Sequence, residues 1–139
     1  MTSESSPKHD AARHLVLIVE DDKLMRIFYQ RLFRDCEHDL AYHLEESAEG
    51  ALDYLRDNRV DAIISDWDLP GISGINLVKA LRSHPATSAV PILMVSGRTG
   101  PDYRDIALRH GANDYFAKPF DIVEFMGRLR ALLTRKDAK

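Results

Sequence analysis

Glu20 and Asp21 follow the apolar run 15–19, and Asp66 follows the shorter run Ala62-Ile63-Ile64 and Ser65. Ser96 ends a third run, 90–95, and Lys118-Pro119 comes directly after residues 114–117. Carboxylates crowded together repel one another and resist ionising unless a cation compensates, and hard oxygen donors of this kind suit Mg²⁺. Mg²⁺ takes one or two carboxylates, keeps several waters and leaves a position for a phosphoryl oxygen. The Ser96 hydroxyl and the Lys118 ammonium are donors for the remaining phosphoryl oxygens. These residue types point to phosphoryl chemistry at a divalent cation, provided the fold gathers them.

The elements that must do so are legible in the periodicity. From His14 onward, short apolar runs alternate with amphipathic stretches, which predicts a parallel sheet covered by helices on both faces. Residues 15–19 form a β-branched run suited to a buried strand. The next helix carries Leu24, Phe28, Leu32 and Cys36 at i,i+4 spacing, with Asp22 as its cap. A weaker strand over 40–46 precedes a helix capped by Ser47, with Ala48, Ala51, Leu52 and Leu55 on its apolar face.

The third strand ends at Asp66. The loop Leu69-Pro70-Gly71-Ile72-Ser73-Gly74 leads into a helix lined by Leu77, Val78 and Leu81. The fourth strand spans 90–95 with Pro91 near its start. Pro101 and Gly111 bracket a fourth helix. Asp121 and Glu124 have capping-box spacing, and Ile122, Phe125, Met126, Leu129, Leu132 and Leu133 give the last helix its apolar face. Five βα units with right-handed crossovers make an α/β doubly wound sheet, which binds ligands at the carboxyl ends of its strands. The chemically competent residues sit at those ends.

The 139 residues include 19 Lys+Arg and 22 Asp+Glu, for a formal net charge of −3. That length suits one domain, expected over 14–135, with loose tails at 1–13 and 136–139. The balance argues against direct binding to nucleic acid. Cys36 is the sole cysteine, which excludes an internal disulfide and fits a reducing, cytoplasmic setting. No run approaches the ~20 apolar residues needed to span a bilayer, and the polar first ten residues do not read as a secretory signal. The six His residues lack the spacing of a metal site.

Taken together, Glu20-Asp21, the segment Ile63-Ile64-Ser65-Asp66-Trp67-Asp68-Leu69-Pro70-Gly71, Met94-Val95-Ser96-Gly97 and Gly111-Ala112-Asn113-Asp114-Tyr115-Phe116-Ala117-Lys118-Pro119-Phe120 resemble the receiver domain of two-component response regulators. The likeness extends over about residues 15–134. It implies a flavodoxin-like (βα)₅ fold with strand order 2-1-3-4-5. It also implies Asp66 as phosphoacceptor, fed by a sensor histidine kinase or a histidine phosphotransfer protein.

By the same resemblance, Asp21, Asp66 and the backbone carbonyl of Asp68 would hold Mg²⁺, or Mn²⁺ in its place, with Glu20 acting through a water. Lys118 would pair with Asp66, through a cis Lys118-Pro119 peptide, and Gly97 would leave room above the acceptor. Ser96 and Tyr115 would form the switch, altering the face made by the fourth helix, fifth strand and fifth helix. Asp68 and Arg98 would modulate hydrolysis of the acyl phosphate. A downstream effector, or an output domain outside this chain, would read the signal. A homodimer through that face, with Asp114, Arg128 and Arg130 in ion pairs across it, is a further expectation.

Two other readings stay open on the sequence. One is a receiver-like interaction module that needs no phosphorylation. The other is a haloacid-dehalogenase-type phosphatase, which also uses an Asp-x-Asp motif. There the motif normally closes the first strand and has Thr or Val in fourth place, whereas Leu69-Pro70 follows Asp68 here.

Overall fold

A computed structural model describes residues 13–137, with side chains through Thr134. The strands are β1 (His14–Val19), β2 (Leu40–Glu45), β3 (Ala62–Asp66), β4 (Ile92–Ser96) and β5 (Asp114–Ala117). They alternate with α1 (Lys23–Arg34), α2 (Ala48–Asp57), α3 (Gly74–Arg82), α4 (Pro101–His110) and α5 (Ile122–Asp137). All pairings are parallel, in the order β2-β1-β3-β4-β5. The order reverses between β1 and β3, so the cleft beyond Val19 and Asp66 is where such a sheet accepts ligands.

Alternation along the central strands divides the core in two. Leu17, Val19, Ile63, Ile92 and Met94 pack with α2, α3 and Ala107 of α4. Val16, Ile18, Ile64, Leu93 and Val95 pack with Tyr29 and Phe33 of α1 and with Phe125, Leu129, Leu132 and Leu133 of α5. Burial on both faces is why these strands read as continuous apolar runs.

Side-chain caps start four helices. The Met25 N–H donates to Asp22 at 2.9 Å, Gly50 to Ser47 at 3.0 Å, Asn76 to Ser73 at 3.2 Å and Glu124 to Asp121 at 3.1 Å. Helix α4 has no such cap; it begins after Gly100 at φ +113° and ends at Gly111 at φ +121°. Its C-terminal end is tied down by Arg82, whose guanidinium donates to the carbonyls of Gly111 (2.9 Å), Thr87 (3.2 Å) and Ser88 (3.3 Å) and to Asn113 Oδ1 (3.0 Å).

Several boundaries and faces differ from expectation. Strand β4 begins at Ile92 because Pro91 has no N–H to donate, and Asn113 Oδ1 takes the Ile92 N–H at 2.8 Å. Strand β2 stops at Glu45. The buried stripe of α1 centres on Tyr29 and Phe33, and Leu24 is 75% exposed. Ile122 is also exposed, next to Val123 at 82%. Both misplaced residues occupy first turns, where a helix projects past the layer it covers. Helix α5 continues through Asp137, past the boundary expected at 135; residues 1–12 of the expected tail and residues 138 and 139 lie outside the described residues. No helix among the described residues is long and apolar enough to cross a membrane.

Candidate functional site

Strand periodicity aims the acidic residues. Glu20 lies two residues beyond Ile18 and Asp66 two beyond Ile64, so both fall on the α1/α5 side of the sheet. Each follows directly on a buried run; Glu20 is 1% and Asp66 7% exposed. Asp21, one residue on, is exposed, and one oxygen from each of the three carboxylates lies within 4.8 Å of the others.

Lys118 reaches this cluster from the end of β5. Its Nζ donates to Glu20 Oε1 at 3.2 Å and to Asp66 Oδ2 at 3.3 Å. The peptide joining Lys118 to Pro119 is cis, as the resemblance implied and as only an X-Pro bond readily allows. The other carboxylate oxygens take backbone donors: Asp22 N–H to Glu20 Oε2 at 3.2 Å and Asp68 N–H to Asp66 Oδ1 at 3.3 Å.

One ammonium therefore serves two buried carboxylates. Burial, and then the neighbouring Asp66 charge, push Glu20 up to about 7, against the opposing pull of Lys118. The Lys118 ammonium is in turn held above the ordinary lysine range; burial opposes this, and the charges of Glu20 and Asp66 outweigh it. Among the described residues, the three carboxylates carry more negative charge than the Lys118 ammonium offsets. Hard oxygen donors in negative excess fit a divalent cation such as Mg²⁺.

On the opposite side of Asp66 stand Ser96, the last residue of β4, and Arg98, in the loop that follows. Ser96 is fully buried, and its Oγ accepts the Arg98 N–H at 3.1 Å. The Arg98 guanidinium forks onto Asp68, with Nη2 to Oδ1 at 2.7 Å and Nε to both carboxylate oxygens at 3.2 Å. It also lies 5.4 Å from the ring centroid of Trp67 and 5.5 Å from that of Tyr103. Tyr115 is buried, edge-on to Trp67, and its hydroxyl donates to the Arg98 carbonyl. A Cβ at Gly97 would meet nothing within 4 Å, so the space expected there is open.

The structure thus brings together Glu20, Asp21, Asp66, Asp68, Ser96, Arg98, Tyr115 and Lys118. It also joins Asp68 and Arg98, read separately in sequence, into one ion pair across the mouth of the site. Sequence reasoning missed the aromatic cage of Trp67 and Tyr103 around Arg98, because no local spacing connects a residue after β3 to one in the first turn of α4. The charges expected across a dimer interface are engaged within the chain. Asp114 takes Arg104 at 2.7 Å and Arg128 at 2.9 Å, and Arg130 pairs with Asp39.

Comparison with known proteins bears directly on this arrangement. The family model described as response regulator receiver domain matches residues 16–130. The chain is 35% identical over 122 residues to the response regulator MprA of Mycobacterium sp. (strain KMS), covering 86% of this chain and 50% of that protein. It is 43% identical over 81 residues to the phosphate regulon transcriptional regulatory protein PhoB of Rhizobium meliloti (strain 1021), covering 58% of this chain and 36% of that protein. The chain therefore spans half or less of the length of these relatives.

Among solved structures, a response regulator from Chloroflexus aurantiacus superposes with a TM-score of 0.82 at 35% identity, covering 88% of this chain and 98% of that one. The receiver domain of the sensor histidine kinase PA1611 from Pseudomonas aeruginosa gives a TM-score of 0.79 at 26% identity, covering 88% and 99%; it holds a magnesium ion in its active site cleft. With its five parallel strands in the order 2-1-3-4-5 and its acidic cluster at their carboxyl ends, this chain belongs to the response regulator receiver domain family of two-component signalling.

Proposed function

We propose that the chain is a phosphoacceptor switch in which Asp66 takes a phosphoryl group from a phosphohistidine. The observation that carries this reading is the shared ammonium: Lys118 sits between Glu20 and Asp66, with Asp21 at the rim. One Asp66 oxygen attacks phosphorus in line as the P–N bond breaks. Phosphoryl transfer of this kind needs positioning and neutralisation of the equatorial oxygens more than covalent assistance. Lys118, Ser96 and backbone N–H groups supply donors from the protein. Asp21, Asp66, the Asp68 carbonyl and, through a water, Glu20 would hold Mg²⁺ or Mn²⁺, which when bound neutralises charge on the transferred group.

The donor, a sensor histidine kinase or histidine phosphotransfer protein, would approach over the rim of α1 and α5. Leu24 and Val123 stand exposed in the first turns of those two helices, the kind of apolar border a protein partner covers. After transfer, the Ser96 hydroxyl is drawn to the phosphoryl group. Arg98 follows, since its N–H is bonded to Ser96 Oγ and its carbonyl to Tyr115. The switch thus passes to the face of α4, β5 and α5, where an effector or an output domain beyond this chain reads a shifted population of two packings. A homodimer through that face would have to exchange the intrachain pairs of Asp114 and Arg128. We place the chain's action in the cytoplasm, consistent with its lone cysteine.

Incubation with Mg²⁺ and acetyl phosphate, followed by intact mass measurement, tests the proposal. A phosphoryl increment in the wild type and none in Asp66→Asn is the expected result. No increment in either would leave a phosphorylation-independent interaction module, and multiple turnover of a phosphomonoester would indicate a phosphatase.

The Asp68–Arg98 pair yields a separate expectation. Lying across the mouth, it limits water's approach to an acyl phosphate on Asp66. An Asp68→Asn, Arg98→Ala double variant should lose its phosphoryl group several-fold faster, with little change in melting temperature because exposed pairs contribute little to stability. Equal lifetimes would remove this role.

A further inference from the structure

Arg26 is misplaced by the usual rules of helix charge. It lies with Lys23 in the first turn of α1, which holds no acidic residue, and a cation at that end opposes the helix dipole. Its side chain is nonetheless only 20% exposed and folds back onto the turn between β1 and α1. Nη1 donates to the Asp21 carbonyl at 2.5 Å and to the Glu20 carbonyl at 3.4 Å. Nη2 lies 3.7 Å from Glu46 Oε2, one residue beyond β2. Among the described residues, the guanidinium bonds to none of the three clustered carboxylates.

The turn it holds is the one that carries Glu20 and Asp21. Glu20 has further anchors: its N–H donates to the Glu45 carbonyl at 2.9 Å, and its carboxylate takes Lys118 and the Asp22 N–H. Asp21 has no other. It is exposed, and among the described residues the bond from Arg26 is the only hydrogen bond it makes. Yet one of its carboxylate oxygens lies within 4.8 Å of an oxygen of Glu20 and of Asp66. Like charges this close repel, and a turn without a tie would open under that repulsion.

We infer that Arg26 is a positioning residue for the divalent cation, gripping the Asp21 and Glu20 carbonyls so that the turn keeps the Asp21 carboxylate beside Asp66. The proposal rests on the cation-assisted phosphoacceptor reading and deepens it. Arg26 touches no reacting atom and supplies no ligand. Its charge alone would act the other way, since a nearby guanidinium repels a divalent cation. The sign of the effect of removing it therefore separates the two roles. Mg²⁺ is the sensitive probe, because it demands near-octahedral geometry with oxygens at about 2.0–2.1 Å, whereas Ca²⁺ accepts looser arrangements of about six to eight oxygens.

The test uses the full chain and Arg26→Met, which keeps an unbranched side chain but neither the donors nor the charge. Mg²⁺ and Ca²⁺ are each titrated against Trp67 fluorescence and against the cation-dependent rise in melting temperature, which also shows that the variant folds. The variant should bind Mg²⁺ about tenfold more weakly, as for loss of a group that orients a metal ligand. Ca²⁺ should lose less, so that the preference for Mg²⁺ narrows. Arg26→Lys keeps the charge and loses the fork, and should show the same narrowing in smaller measure. Mg²⁺ binding that is unchanged or tighter in Arg26→Met, or weakened equally with Ca²⁺ binding, would overturn the inference. Should the methionine variant not fold, wild-type affinities in Arg26→Lys would overturn it. Wild-type Mg²⁺ binding no tighter than that of Asp21→Asn would instead overturn the cation-assisted reading.

Discussion

Lys118→Met will leave the metal-free protein much less stable at about pH 8 than at about pH 5, and Mg²⁺ will recover most of the difference. Among the described residues, the Lys118 ammonium is the one side-chain cation bonded to both Glu20 and Asp66. Removing one member of a buried ion pair costs about 3–5 kcal/mol, because the remaining charge is uncompensated. Here the ammonium is 22% exposed, so the lower end applies. That corresponds to roughly 10 °C in melting temperature for a domain of this size.

The sign of the pH dependence follows from Glu20. Its pKa rises from 4.5 to about 7 on folding, so between those values the folded state binds protons that the unfolded state has released. Stability from this group therefore falls as pH rises through that window. Lys118 lowers the folded value, and without it the loss extends to higher pH. The raised pKa of Lys118 itself contributes stability that is present at neutral pH and lost only above the ordinary lysine range, outside this window. Thermal melts of wild type and variant at both pH values, with and without Mg²⁺, check the prediction. A flat, unchanged profile in the variant would mean that Lys118 does not hold these carboxylates.

Gly74→Ala is expected to be comparably severe for a different reason. A Cβ at this position would lie 2.0 Å from the Asp66 carbonyl oxygen and 2.9 Å from the Trp67 Cα. These are backbone atoms and cannot rotate away. The start of α3 is fixed against them by the Gly74 N–H, which donates to the Trp67 carbonyl at 2.8 Å. Accommodation requires moving α3 or the end of β3, at a cost of about 3 kcal/mol, the upper part of the usual overpacking range.

Because β3 carries Asp66, Gly74→Ala should also slow acceptance of a phosphoryl group from acetyl phosphate by more than the stability loss explains. Gly97→Ala is the control. It adds the same methyl to a loop beside the site where nothing lies within 4 Å, and should melt within about 0.5 kcal/mol of wild type. Similar behaviour of the two variants would refute the steric account.

The two glycines show what the sequence makes legible and what it does not. The strands were readable because residues buried on both faces must be apolar throughout, and the heart of the site because Glu20, Asp66, Ser96 and Lys118 stand at the ends of such runs. Gly74 read only as part of a loop, since nothing in its spacing reveals that α3 starts against the Asp66 backbone. Leu24 and Ile122 fit apolar periodicity, but periodicity does not show that a first turn overhangs its layer. Asp68 and Arg98 were identifiable singly, while their pairing depends on two loops 30 residues apart meeting over β3 and β4.

Arg82 ties the connection between α4 and β5, at Gly111 and Asn113, to the connection between α3 and β4, at Thr87 and Ser88, through four hydrogen bonds. The opposite end of α4 has neither a side-chain cap nor anything crowding Gly97 or Gly100. The two ends of α4, about 15 Å apart, are therefore held by different means: Gly111 by the Arg82 guanidinium, and the first turn by Tyr103 edge-on to Trp67 and by Arg104 paired with Asp114. If Ser96 and Arg98 move together as proposed, it is the side chains of the first turn that meet the change, since Arg98 lies against the Tyr103 ring. Replacing Tyr103 would then alter what α4 receives without touching any residue proposed to handle the phosphoryl group.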